Sequence, residues 1–234
     1  MEEKTEIGIV CSHPRETRGA VSILKNVESK QFSLFPGYTG DCGGRKCVVI
    51  ESGMGADRAF IAAKQLVPIF HPDLIVDFGV AAGLSPSLEP GRVILSGKVK
   101  DVSTFLKDWE REDPFFSSLP RLPEEYPLEE VDTPEEWMER IGRSGDMTPA
   151  VIGCSDFFLR SAIVREALLA RGVEAFDFES FSVMKASEEA GIPSLCIRGI
   201  SDRGDESAPG EFKSNLSRAI TAAAGALKGI ISVI

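Results

Sequence analysis

The run "IPSLCIRGISDRGD", residues 192–205, carries an apolar stretch straight into Ser201 and Asp202, with a further acid at Asp205. The apolar residues come without alternation, the pattern of a strand buried on both faces. Two readings of Asp202 stand open on these residues. It caps a helix or starts a turn, or it is a strand end that presents a carboxylate to a ligand, where open α/β proteins place their sites.

Working outward, five more short apolar runs read as strands: "IGIVCS", "KCVVIES", "DLIVDFGVA", "RVILSGKV" and "AVIGCS". Between several of them lie stretches with apolar residues at helical spacing: "ADRAFIAAKQLVPIF", "SAIVREALLARG", "SFSVMKASEEAG" and "FKSNLSRAITAAAGALKGIISVI". Gly172 and Gly191 stand where C-terminal helix caps belong. The alternation predicts an α/β fold, a three-layer α/β/α sandwich on a central mixed, mostly parallel sheet, with residues 1–234 as a single domain. Residues 101–149 interrupt the rhythm. They are rich in Pro, Asp and Glu, yet hold both tryptophans and several aromatics. That composition predicts an ordered excursion with a short helix at "TPEEWMERIG", used as a lid or an interface.

With 43% hydrophobic residues in a chain of 234, a substantial core is available. The net charge of −10 repels phosphate backbones and makes nucleic acid an unsuitable partner. The five cysteines are odd in number and form no CxxC, which predicts reduced, buried thiols. The two histidines, His13 and His71, are too few for a histidine-based metal site, and no metal-ligand spacing occurs, so neither a metal nor a cofactor is expected. The acidic start "MEEKTE" is unlike a signal peptide and no run is long enough to span a membrane; the expectation is a cytoplasmic protein with no membrane partner.

Four segments have ends that can meet in one cleft: "CSHPRET", the Gly-rich turn "ESGMGADRA", "FGVAAGLSPSLEPG", and "FDFES" together with "ISDRGD". A Gly-rich turn before a helix can cradle an anion, but "GMG" serves simple strand–helix packing equally well. Taken in order, "IGIV", "SGMGADRA", "PDLIVDFGVAAGLSPSLEPGRVILS", "GCSDFFL", "FDFES" and "IPSLCIRGISDRGD" make the chain resemble the family I nucleoside phosphorylases and nucleosidases. It is most similar to the methylthioadenosine/adenosylhomocysteine nucleosidase-like hydrolases, from residue 7 to about 215 with a lapse over the acidic excursion.

The resemblance implies cleavage of the bond between a ribose and a purine. The sugar becomes oxocarbenium-like as the base departs, and the base leaves more easily once protonated. It implies that Asp202 is the acid and that Ser201 orients it. Glu179 is implied to accept hydrogen bonds from the ribose hydroxyls, although an acid at a helix N-terminus is also favoured by the dipole. Phe158 is implied to stack on the base, Leu159 to meet its edge through the backbone, and Phe178 to face sugar and base; core packing is the alternative for each. Asp177 falls where the family usually carries another acid, with a minor role.

Glu16 falls where the hydrolases hold and deprotonate water. Where the phosphorylases have an arginine and a serine for phosphate, this chain has Asp77 and Val80, although Arg15 and Arg18 lie nearby. Met54 and Phe212 match apolar positions around the 5′ group, whereas His13 stands where the methylthio-specific enzymes have an apolar residue; it is either a surface residue or the mark of a more polar 5′ substituent. "GVAAGL" replaces the usual "GSAGGL". The expected partners are a small nucleoside and a second copy of the chain, through aromatics of the excursion taken as exposed: Phe105, Trp109, Phe115 and Phe116. Phosphorolysis, futalosine-type hydrolysis and non-catalytic nucleoside binding stand as alternatives.

Overall fold

A computed structural model describes residues 6–119, 121–123, 126–141 and 147–234. Strand β1 (Glu6–Cys11) runs parallel between β4 (Arg45–Glu51) and β5 (Leu74–Gly83), and β10 (Ser194–Asp202) runs parallel along β5. The C-terminal ends of these strands therefore share one edge, where Ser201 and Asp202 sit.

Strands apolar on both faces need cover on both. On one face Ile7, Ile9, Val76, Phe78 and Ile197 pack with Ala20 of α1 (Pro14–Val21) and with Leu216, Ile220 and Leu227 of α7 (Ala208–Ile231). On the other, Val10, Ile50 and Ile75 meet Ala59, Ala63 and Leu66 of α2 (Ala56–Phe70) and Val183 and Ala186 of α6 (Ser180–Glu188). This is the expected layered α/β architecture.

The sheet also closes on itself. Strand β6 (Val93–Asp101) is antiparallel to β10, β8 (Thr148–Cys154) is parallel to β6, and the short β9 (Ala175–Asp177) joins β8 to the end of β5, with Ala82 opposite Phe176. This closure brings Asp177 and the residues after it to the same edge as Asp202.

The sheet is mixed, with more antiparallel pairing than expected. Part of the difference lies in strands that apolar runs do not reveal. β2 (Lys25–Phe32) is exposed along almost its whole length and β3 (Phe35–Cys42) hydrogen-bonds it to β4; β7 (Glu129–Asp132) pairs with β6.

The 101–149 region is folded where it is described. It forms α3 (Ser103–Glu112), β7 and α4 (Glu135–Ile141), the last at the anticipated short helix; Gly142 lies outside the described residues. The expected set of exposed aromatics is corrected here. Phe105 and Trp109 are fully buried, because α3 packs them against Val164 and Leu168 of α5 (Ala162–Leu169). Phe116 packs between Trp109 and Phe157, at ring-centroid distances of 5.8 and 5.3 Å. Phe115 alone of the four projects outward, 88% exposed. The Asp113 carboxylate fixes that turn by accepting from Phe115 N, Ser117 N and the Ser117 and Ser118 hydroxyls, which pull its pKa down to about 2.

All five cysteines are free and buried. Among the described residues no helix is long and apolar enough to cross a membrane, and no cluster of potential metal ligands occurs. Gly172 and Gly191 both adopt φ of 69°, closing α5 and α6 in the left-handed conformation that glycine tolerates.

Helix α7 comes close to the sheet at Gly199, two residues before Ser201. A Cβ on Gly199 of β10 would stand 2.1 Å from the Ala219 carbonyl oxygen of α7. Gly199→Ala is therefore expected to destabilise the protein by about 1–3 kcal/mol through overpacking. A urea unfolding curve checks this; an unchanged midpoint would mean that α7 moves away without cost.

Candidate active site

Asp202 ends β10 beyond a register shift against β5, between Ile200 and Asp202. Its Oδ2 accepts from the Ser201 hydroxyl at 2.7 Å and its Oδ1 from Gly204 N at 3.0 Å. It is 3% exposed, and burial raises its pKa against those two hydrogen bonds. A carboxyl so placed keeps a proton to higher pH than a solvated one.

Glu16 reaches the same edge from the first turn of α1. Oε2 accepts from the Ser12 hydroxyl at 3.1 Å and His13 N at 3.0 Å, and Oε1 accepts from Val80 N at 3.0 Å. Gly79 makes room for it, since a Cβ there would lie 2.4 Å from Oε1. An ionised carboxylate offers about four acceptor positions; three are filled here and one remains. Burial raises the Glu16 pKa, and the Arg198 guanidinium is the largest opposing influence.

Glu179 stands at the head of α6, following β9. Its Oε1 accepts from Gly55 N, at 3.0 Å, in the Gly-rich turn before α2. That turn thus serves to hold a carboxylate rather than to cradle an anionic ligand. Burial pushes the Glu179 pKa up to about 8; the Gly55 hydrogen bond opposes this, and Asp177, Glu16 and Asp77 add to it.

These acids line a cleft with Ser12, Met54, Val80, Ala81, Ala82, Phe158, Leu159, Phe176, Asp177, Phe178, Ser201 and Phe212. One part of the wall is aromatic: Phe158 lies 6.2 Å from Phe212, edge to face, and 6.3 Å from Phe178. The other part holds the carboxylates. No Lys, Arg or His lines the cleft among the described residues. At its mouth Met54 and Phe158 are 60% and 39% exposed and border a further hollow with Gly55, Asp156 and Phe178.

The structure thus brings together Asp202, Glu16, Glu179, Phe178, Phe158, Leu159, Ser201, Met54 and Phe212. His13 is the exception. Its Nδ1 accepts from Arg15 N at 3.1 Å, which caps α1, and it does not line the cleft. Arg15 and Arg18 are exposed on α1 and do not line it either.

Sequence reasoning missed Arg198. It is buried behind the cleft, where its Nε donates to Asp177 Oδ2 at 2.7 Å and its Nη2 to Asp77 Oδ2. The available signal was an arginine inside the apolar run "LCIRGI", because a charge in a buried strand requires a partner.

A sequence profile described as the phosphorylase superfamily matches residues 6–232. A 5′-methylthioadenosine/S-adenosylhomocysteine nucleosidase of Halalkalibacterium halodurans is 28% identical over 208 residues, 85% of each chain. Its counterpart in Chromohalobacter salexigens is 22% identical over 97% of this chain and 96% of its own. Among solved structures, the Neisseria meningitidis nucleosidase of that name, in complex with methylthio-immucillin-A, superposes with a TM-score of 0.83 at 21% identity, covering 98% of this chain and all of its own. The futalosine hydrolase of Helicobacter pylori superposes with a TM-score of 0.83 at 19% identity, covering 100% of both chains.

Glu179 gives stability a pH dependence. Its pKa rises from an ordinary 4.5 to about 8 on folding, so the folded state holds the proton more tightly. The stability this contributes is complete below about pH 4.5 and is lost as pH rises through about 8. Glu179→Gln, which cannot ionise, is expected to gain on the wild type by more than about 1 kcal/mol between about pH 5 and about pH 9. Urea unfolding at the two pH values measures it; a constant difference between the proteins would contradict the assignment.

Proposed function

The chain belongs to the phosphorylase superfamily, and we propose that within it the protein is a nucleosidase that hydrolyses the N-glycosidic bond of a purine ribonucleoside modified at the 5′ position. The observation that carries this reading is the meeting of Glu16, Glu179 and Asp202 around one cleft whose remaining wall is largely apolar and aromatic and, among the described residues, free of Lys, Arg and His. The similarity to methylthioadenosine/adenosylhomocysteine nucleosidases supports the substrate class.

In this reading the purine lies against Phe158 and the backbone of Leu159, with Phe178 between base and sugar. Asp202, kept protonated by burial and oriented by Ser201, gives its proton to the departing base. Glu179 accepts from the ribose hydroxyls. Glu16 takes a proton from the attacking water through its remaining acceptor position, and the water oxygen bonds to the anomeric carbon as the bond to the base breaks. Met54 and Phe212 give the 5′ group an apolar wall, and His13 does not contribute a polar one, which favours an alkylthio substituent over a charged group. Phosphorolysis is the weaker alternative, because the cleft wall offers phosphate no cation and Asp77 lies behind it.

The decisive experiment incubates the protein with methylthioadenosine, adenosylhomocysteine, adenosine and futalosine, with and without phosphate, and identifies the sugar product. Free 5′-modified ribose without phosphate is expected. A sugar 1-phosphate formed only with phosphate would establish the phosphorylase, and tight binding without turnover a binding protein.

Asp202→Asn keeps the shape but cannot give up a proton, and is expected to lower kcat by on the order of 10² to 10⁴. Glu16→Gln is expected to lower kcat strongly with little change in substrate affinity, because the lost interaction belongs to the transition state. Full phosphate-free turnover in either variant, assayed by base release, would remove that residue from the mechanism.

We also place the protein in the cytoplasm as one domain per chain, working as a homodimer. The motive for the dimer is exposed apolar surface in two places: on the excursion, Phe115 and Leu119, 88% and 68% exposed, and at the cleft mouth, Met54. Light scattering at assay concentration is expected to give twice the chain mass; a fully active monomer would contradict it.

A further inference from the structure

Asp177 on the cleft wall and Asp77 behind it share one cation. Arg198 is 2% exposed. Its Nε is given to Asp177 and its Nη2 to Asp77, while Nη1 has no partner among the described residues. The other Asp177 oxygen accepts from Ser180 N and the Ser180 hydroxyl, so Asp177 is fixed at the head of α6. In the parallel pairing of β5 and β10, Asp77 lies opposite Cys196 and Gly79 opposite Arg198. Asp77 and Arg198 are therefore diagonal neighbours on one face of the strand pair. Gly79 lets Glu16 come over the same place, and Arg198 is the cation that acts on Glu16.

A buried guanidinium with an unpartnered Nη1 can still donate to an oxyanion. One flanked by two ionised carboxylates carries a net charge of opposite sign and repels an oxyanion. Asp77 does not line the cleft; it acts on the site through Arg198 and through its charge on Glu16 and Glu179. We propose that Asp77 is a positioning residue that sets the nucleophile: by sharing Arg198 with Asp177 it bars phosphate and other oxyanions from the Glu16 side and leaves neutral water as the nucleophile. This rests on the hydrolytic reading above.

The groups facing Asp77 are Asp177 from β9, Glu16 from α1, Arg198 and Cys196 from β10, Cys11 from β1 and Glu179 at the head of α6. Burial pushes the Asp77 pKa up to about 7, Arg198 opposes this, and Asp177 and Glu16 add to it. Loss of the Asp77 charge as pH falls through that value should admit oxyanions.

The test uses sulfate, whose charge is the same at about pH 6 and about pH 8. Sulfate affinity is read both as inhibition of nucleoside hydrolysis and as protection against thermal unfolding, in the wild type and in Asp77→Asn. At about pH 8 the variant is expected to bind sulfate tighter by about tenfold or more, the effect of removing one buried charge. The wild type is expected to bind sulfate more tightly at about pH 6 than at about pH 8, with a smaller pH dependence in the variant. Equal sulfate affinity in the two proteins at about pH 8 would overturn the proposal. Should circular dichroism show Asp77→Asn unfolded, Asp77→Ser removes the same charge with a smaller group, and sulfate affinity of the wild type that does not change with pH would overturn the proposal on its own. Absence of nucleoside turnover in the wild type would instead defeat the hydrolytic reading, while thermal protection by sulfate still decides the role of Asp77.

Discussion

A carboxylate removed from water must either find compensation or take up a proton. Glu16, Asp77, Asp177, Glu179 and Asp202 are all at most 5% exposed and stand behind or along one cleft. The structure compensates them unequally. Asp177 and Asp77 receive a guanidinium, Glu16 three hydrogen bonds, Asp202 two and Glu179 one. The acid left with the single amide, Glu179, has its pKa pushed up to about 8. Chemistry that needs one carboxyl to give a proton and another to accept one requires such unequal neighbourhoods.

The fold creates these neighbourhoods through backbone geometry. Parallel strands put β1, β4, β5 and β10 end to end at one edge, and the closure of the sheet through β9 brings a segment from 25 residues earlier in the chain than Asp202 to meet it, as Asp177. Helix N-termini then supply amide donors: Val80 N apart, the donors to Glu16 lie at the start of α1, and Gly55 N precedes α2. Glycine is needed where these parts touch. At Gly79 a Cβ would collide with Glu16, and at Gly199 with the backbone of α7, so both positions trade side-chain packing for proximity.

The Glu16 side and the Phe158 side of the cleft differ in character. Around Glu16 the neighbours are charged and hydrogen-bonded; around Phe158 they are aromatic and partly open to solvent. A planar, largely apolar base and a polar sugar fit that division. On the open side Met54 and Phe158 are left uncovered.

Much of this was determined by the sequence alone. Apolar runs without alternation located the strands buried on both faces, helical spacing located α2, α5, α6 and α7, and an acid at the end of a strand-like run singled out Asp202, whereas Glu16 and Glu179 were singled out by resemblance to a known family. Those signals are local, because burial on both faces leaves a mark in every residue of a strand. The tertiary structure decided what depends on distant partners. Strand β2 is polar and exposed, so only pairing with β3 makes it a strand. The aromatics of the excursion could be read either as surface or as core until α3 was packed against α5. His13 was read by its position in the chain, yet the direction of its ring is set by the amide it caps. Arg198 acquires a meaning only from Asp77 and Asp177, 121 and 21 residues away in sequence, because the energy of a buried charge belongs to its neighbours in space.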